Sequence, residues 1–415
     1  MTLFLVLLLA LVVSTLVLAL LLRLAPRTGL MDHPGERRRI HREAVPRVGG
    51  LAIFAGLLAS LVVAPPLTAA ERYGLAGAAL LVLVGALDDR YQLGPRVRLL
   101  AQLGAALLLT LGGGVVLTSL GDLLGTGPLG LGAWALPVTL VAVVGLINAL
   151  NMIDGIDGLA AGVTLIGMGS LLPFLPTGSP LALLLSATLV ALVPYLVGNL
   201  ELGRCRCKVF LGDAGSMLLG YLLVWGLITA SRGPAGLGAV TAPGVLEGLG
   251  AVTAHGALAG LAPVAAHDVL AGLAPVTANG VLEGLAPVTA QGGLEGLAPV
   301  TALWLVAIPL MDTLAVMGRR LRNGQHPFNP DRGHLHHRLA RLFHSPRRAL
   351  ILLLALALLL AGVGLAGQAL AVPEALMFAL ALAVFGGYLA ILYRWPDWHR
   401  RRLRLLRQSA PKAGG

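Results

Sequence analysis

Apolar runs of roughly 17–25 residues, the length a helix needs to cross a bilayer, recur along nearly the whole chain. Eleven can be drawn, at about 2–22, 49–66, 74–88, 99–118, 134–151, 158–175, 181–198, 209–230, 302–318, 349–366 and 372–393. The third is short and depends on Leu87. With 57% hydrophobic and only 12% charged residues, the chain carries more apolar material than a soluble core can use. In lipid only helices and closed barrels satisfy every backbone polar group, and these runs show no period-two alternation. The expected fold class is all-α, a polytopic membrane protein with about 11 transmembrane helices. The first run has no early basic residue and no small-residue cleavage site, so it is expected to remain as a span.

A net charge of +11 raises the question of a nucleic-acid partner, and the placement of the charge argues against one. The odd-numbered connections hold Arg23 to Arg47 (seven basic residues), Arg90 to Arg98 (three), Arg204 to Lys208 (three) and Arg319 to Arg348 (eight). The segment from Arg394 to Lys412 adds seven, which makes 28 of the 30 Lys and Arg. Only Arg72 and Arg232 are left for the other side. Positive loops stay cytoplasmic, which puts the N-terminus in the periplasm and the C-terminus in the cytoplasm. The basic tail also suits contact with anionic lipid. Cys205 and Cys207 fall on the cytoplasmic side and imply no disulfide framework.

From Pro234 to about Leu305 the chain repeats every 12 residues, as in LAGLAPVTANGV (270–281) and LEGLAPVTAQGG (282–293). Glycine and proline in each unit oppose a membrane helix, and the composition suggests a flexible external loop with no catalytic part. The chain then divides into 1–233, with helices 1–8 and their catalytic loops, and 234–301, the repeat loop. Residues 302–393 hold helices 9–11 with a His-rich loop at 319–348, and 394–415 form a basic cytoplasmic tail.

On this topology the polar residues gather at one membrane face. Asp88 and Asp89 end the third run, at a helix C-terminus whose dipole disfavours negative charge. Adjacent carboxylates also repel, so a cation must offset them, either a metal or Arg90, Arg96 and Arg98. In NALNMIDGIDG, residues Asn148, Asn151, Asp154 and Asp157 step by three, so on one continuous helix the first and last face opposite ways. Gly155 and Gly158 suggest instead that the helix ends there and the backbone folds over. The amide and carboxylate oxygens could then converge on Mg²⁺ or Mn²⁺ beside a phosphate, or simply cap helix ends. Asp213, in VFLGDAGSMLLG, stands at a turn that could be an N-cap or a phosphate site. His334, His336 and His337 in PDRGHLHHRL could bind an anion, act as acid or base, or hold zinc.

Together with HREAVPRVGG (41–50) and LDDRYQLGPRVRL, these stretches resemble the polyprenyl-phosphate N-acetylhexosamine-1-phosphate transferases (glycosyltransferase family 4). Five motifs occur in family order over nearly the whole chain apart from the repeat. The HLHH form resembles the branch that transfers N-acetylglucosamine 1-phosphate to undecaprenyl phosphate. The resemblance implies transfer of that group, or a related N-acetylhexosamine 1-phosphate, from the UDP-sugar to undecaprenyl phosphate, releasing UMP. It further implies Mg²⁺ (or Mn²⁺), a bacterial cytoplasmic (inner) membrane, a site facing the cytoplasm, and the first membrane step of a cell-envelope polysaccharide. Related enzymes are often dimers, which makes a homodimer the precedent.

Carried over residue by residue, Asp88 would be the base or orienting group for the lipid phosphate, with Asp89 beside it and Arg98 as a phosphate contact. Asn151 and Asp213 match metal positions. Asp154 and Asp157 would bind the nucleotide and help hold the metal, with Asn148 and Gly155 among the substrate contacts. Phe210 matches an aromatic that stacks on uracil, and Arg42 a basic residue near the nucleotide. Arg332, His334, His336 and His337 would hold the sugar and diphosphate. The alternatives are the muramoyl-pentapeptide branch of the same family and, in a different class, a secondary transporter with ion-coupling carboxylates.

Overall fold

The computed structural model describes residues 1–32, 44–202, 207–232, 296–325 and 333–409, with side chains as far as Tyr393. Arg42, Arg332, Cys205 and residues 233–295 of the repeat lie outside the described residues. The chain is mostly helical: α1 (Thr2–Thr28), α2 (Gly49–Ser60), α3 (Ala69–Tyr91), α4 (Pro95–Leu107), α5 (Ala135–Ile153), α6 (Leu159–Leu171), α7 (Pro180–Asn199) and α8 (Gly212–Ser231). After the repeat come α9 (Pro299–Leu305), α10 (Ala307–Arg322), α11 (Leu335–Phe343), α12 (Pro346–Ala369) and α13 (Glu374–Ser409).

All eleven apolar runs are helical, but they are not equal. Among the described residues, seven helices are long and apolar enough to cross a membrane: α1, α3, α5 with its 3-10 lead-in, α7, α8, α12 and the first part of α13. The protein is a polytopic membrane protein. Helix α2 has only 12 residues, about 18 Å at 1.5 Å per residue, because Pro65 and Pro66 follow its end. The run at 99–118 leaves the helix at Gly112–Gly114, after a π-helical turn over Leu108–Gly112. The run at 158–175 gives α6 and a 3-10 turn over Leu172–Phe174.

The ninth run, expected as one straight span, is broken: α9 and α10 meet at 80°. Pro309 explains where. It has no N–H to offer the carbonyl of Leu305, four residues back, and Val306 between the arms has φ −114 and ψ 19. The first arm, PVTALWL, is the end of the last repeat unit, so the repeat loop closes at Ala298 rather than 301. Leu297 N donates to Ala230 O (2.9 Å), so the repeat leaves and re-enters the fold at neighbouring points.

Helix α8 is the central post. Every residue from Ala214 to Ala230 is buried, as expected of a helix apolar on all sides, and α2, α3, α5 and α6 surround it. Helices α2 and α3 reach its first turn backbone to backbone. A Cβ added at Gly50 would lie 2.2 Å from Gly215 N, and one at Gly85 would lie 2.4 Å from Ala214 Cα. Such approach requires glycine, and it is the device membrane helices use where no hydrophobic force separates helix from lipid. Helix α13 is nearly bare along its span.

A two-stranded ribbon departs from the all-helical expectation. Met31–Asp32 (β1) pairs antiparallel with Val45–Pro46 (β2). Phe210 N donates to Pro46 O (2.8 Å), and Gly49 N and Gly50 N donate to Phe210 O and Leu211 O. The entrances to α2 and α8 are thereby stitched together.

Candidate active site

The site forms around the first turn of α8. Gly212 holds φ +75, which swings the chain into the helix and leaves Asp213 N and Ala214 N pointing at α3. There Asp89 accepts both, at 3.0 and 3.3 Å. A buried carboxylate from one helix end thus caps the start of another, where the dipole favours it. Arg47 continues the chain: its guanidinium lies 2.5 Å from Asp32 and 3.8 Å from Asp89. Asp89, expected among the catalytic acids, is engaged as a cap.

One residue earlier on α3, Asp88 turns by about 100° to a different partner. Its Oδ2 lies 3.2 Å from Arg98 on α4, and Arg98 reaches to 3.9 Å from Asp213 Oδ1. The buried carboxylate of Asp88 and the half-buried one of Asp213 therefore share a single guanidinium.

Helix α5 ends at Ile153, and Asp154 to Gly158 fold over before α6, as the glycines suggested. Asn151 on its last turn donates to Asp213 Oδ1 (2.5 Å) and Ser216 Oγ (2.8 Å). Asn148 sits one turn back, bonded to Gln102 Oε1 (2.6 Å) and Val144 O (2.8 Å), outside the cavity. Asp157 pairs with Lys208 Nζ at 2.8 Å. Among the described residues Asp154 has no such partner. Burial, with Asp213, Asp89 and Asp157 around it, pushes its carboxyl up to about 8.

These groups surround a cavity of about 350 Å³, within the range of small-ligand sites. Asp89, Asn151, Asp154, Gly155, Asp157, Phe210, Asp213 and His337 line it. Asp88 and Arg98 lie just behind Asp213. His334 and His336 are buried behind His337, their rings stacked at 5.5 Å, and His336 is 4.2 Å from His337 centroid to centroid. Burial, then the neighbouring His337, pushes His336 down to about 3, so its ring is neutral. Asp312, His334 and His336 bring three ligand-type atoms within 4.8 Å of one another.

Sequence reasoning passed over several lining residues. Asp32 precedes the segment quoted as a motif, Arg47 lies inside it without a role having been given to it, and Tyr195 and Asn199 come from α7. Asn199 Nδ2 donates to Val209 O (2.8 Å), while its buried Oδ1 has no partner among the described residues. A polar residue closing an apolar run, as in LVGNLELG, was the available signal.

The cavity wall is dominated by carboxylates: Asp32, Asp89, Asp154, Asp157 and Asp213 against Arg47, with His337 beside them. Among the described lining residues the carboxylates outnumber the cations and no thiolate occurs, which suits Mg²⁺ or Mn²⁺ rather than a soft metal. The folded chain keeps a proton on Asp154 up to about pH 8, while the unfolded chain releases it near 4. Folded protein binds more protons across that window, so this group makes stability fall as pH rises through it. Melting of the detergent-solubilised protein is expected to drop between about pH 5 and pH 8, and millimolar Mg²⁺ is expected to flatten the slope.

Comparison with known proteins identifies the family. The family model for glycosyl transferase family 4 matches residues 72–231, which carry α3 to α8. The undecaprenyl-phosphate alpha-N-acetylglucosaminyl 1-phosphate transferase of Yersinia pestis is 34% identical over 367 residues, covering 88% of this chain and 84% of that protein. The protein of that name from Escherichia coli strain K12 is 32% identical over 407 residues, covering 96% and 95%. The one from Salmonella typhimurium strain LT2 is 33% identical over 409 residues, again covering 96% and 95%. With such similarity over almost its full length, and with the acids of the matched region assembled at one cavity, the chain belongs to glycosyl transferase family 4.

Proposed function

We propose that the protein transfers N-acetylglucosamine 1-phosphate from UDP-N-acetylglucosamine to undecaprenyl phosphate, giving the lipid diphosphate sugar and UMP. The observation that carries this reading is the convergence of Asp88, Asn151, Asp154 and Asp213 around the first turn of α8. The names of the similar proteins supply the substrates. A lipid phosphate oxygen attacks the β-phosphorus, the one bearing the sugar. The bond from that phosphorus to the bridging oxygen breaks, and UMP departs with the oxygen. Such transfers need positioning and charge neutralisation more than covalent help.

The chain's own residues divide the work. Arg98, between Asp88 and Asp213, is placed to take the acceptor phosphate. A lipid phosphate is already largely ionised at neutral pH, so Asp88 orients Arg98 and the acceptor. Phe210 offers its ring to the uracil, with Asn199 on the same cavity wall. Asp213 and Asn151, backed by Asp154, would hold Mg²⁺, which when bound neutralises charge on the diphosphate.

We also read the acids as facing the cytoplasm of a bacterial inner membrane, with the N-terminus outside, from the placement of 28 of the 30 basic residues. Transporter ion sites lie near the bilayer midplane, whereas these carboxylates stand at helix ends. The test is UMP release by purified protein given UDP-N-acetylglucosamine, undecaprenyl phosphate and Mg²⁺. Release that stops with chelator and returns with Mg²⁺ or Mn²⁺ is expected. No release in the presence of the metal overturns the reading.

A further inference from the structure

Asp312 is a carboxylate buried on α10, behind the cavity, and the reaction described above does not use it. Its Oδ1 accepts from Leu335 N (2.9 Å) and from the Tyr388 hydroxyl (2.8 Å). Its Oδ2 lies 2.8 Å from His334 Nδ1. Three donors from the start of α11, the residue before it and α13 therefore meet on one acid. A lone charge kept inside an apolar run is costly and marks a task.

We propose that Asp312 is a positioning residue that braces the histidine row against the nucleotide-sugar side of the cavity, an inference that rests on the transferase reading. An ionised carboxylate only accepts, so His334 donates to it through Nδ1. The bond to Leu335 N also caps α11 at its first turn, which fixes the direction in which His336 and His337 leave it. His336 is pressed onto the Asp154–Asp157 turn: a Cβ at Gly155 would fall 2.3 Å from its Nε2. Both ring nitrogens of His336 are buried without a partner among the described residues. His337 beside it reaches the cavity. A brace at Asp312 thus ends at the turn assigned to the donor, whereas Arg98, assigned to the acceptor, pairs with Asp88 and Asp213.

The same three residues have the composition of a transition-metal site. Against that, both Asp312 oxygens already hold well-formed hydrogen bonds, and a cation would have to displace the His334 N–H. The hydrogen-bonded brace is the arrangement the distances support.

The experiment measures UMP release by the full chain in detergent, with KM taken separately for UDP-N-acetylglucosamine and undecaprenyl phosphate. Asp312→Asn keeps the shape but turns an amide donor toward His334, and Tyr388→Phe removes one hydrogen bond. The donor KM is expected to rise roughly 10-fold or more with Asp312→Asn and about 3-fold with Tyr388→Phe, with the acceptor KM unchanged. Where Asp312→Asn fails to purify folded, Tyr388→Phe carries the test alone. Unchanged donor KM in the folded variants would overturn the brace, as would equal rises for both substrates. Stoichiometric zinc in the wild type, lost in Asp312→Asn, would overturn it in favour of a metal centre. Wild-type protein that releases no UMP overturns the transferase reading instead, and the brace falls with it.

Discussion

Asp213→Ala is expected to lower UMP release by roughly 10³-fold or more while the protein still folds. Asp213 touches Asn151 and Arg98 and faces Asp154, so its loss removes the group on which the cation and the acceptor contact converge. Its carboxylate is also one of several crowded together, and it is only half-buried. Deleting it relieves repulsion, so melting of the metal-free variant is expected to be unchanged or slightly higher. Turnover within tenfold of wild type, with Mg²⁺ present, would remove Asp213 from the centre of the mechanism.

Asp89→Ala is expected to lose turnover for a different reason and to lose stability with it. This carboxylate caps α8 through two backbone N–H groups and faces Arg47. Removing the carboxylate leaves those two backbone N–H groups unsatisfied, at about 1–3 kcal/mol each, while Arg47 keeps its contact with Asp32. Two adjacent aspartates would then be separated by function, with Asp89 holding the scaffold and Asp88 facing Arg98. Thermal melting beside the turnover assay checks this. An Asp89→Ala protein that melts like the wild type would show that the cap is not structural.

Much of the helical architecture was legible because lipid leaves so few options for a backbone. Where expectation and structure part, a residue explains it. Pro309 bends the ninth run, prolines at 65 and 66 cut α2 short, and glycines at 112–114 end the fourth run early. The apolar pattern registers length and not direction, so it could not show that α9 and α10 turn through 80°. The acids of the site were legible as charges in a place that penalises charge. Their division of labour was not, since Asp88 and Asp89 differ only in which helix each meets. Asp312 was overlooked for the opposite reason. A single acid inside a long apolar run was counted as part of the span, although its cost alone marked it. Arg47 and Lys208 were counted for topology alone, and only the fold places them at Asp89 and Asp157.

The central claim is that Asn151 from α5 and Asp213 from α8, backed by Asp154, hold one divalent cation. Mn²⁺ titration of the purified protein, followed by electron paramagnetic resonance, tests it most directly. One bound Mn²⁺ per chain is expected in the wild type, weakened strongly in Asn151→Ala and absent in Asp213→Ala. Mn²⁺ bound with equal affinity and stoichiometry by Asp213→Ala would contradict the account.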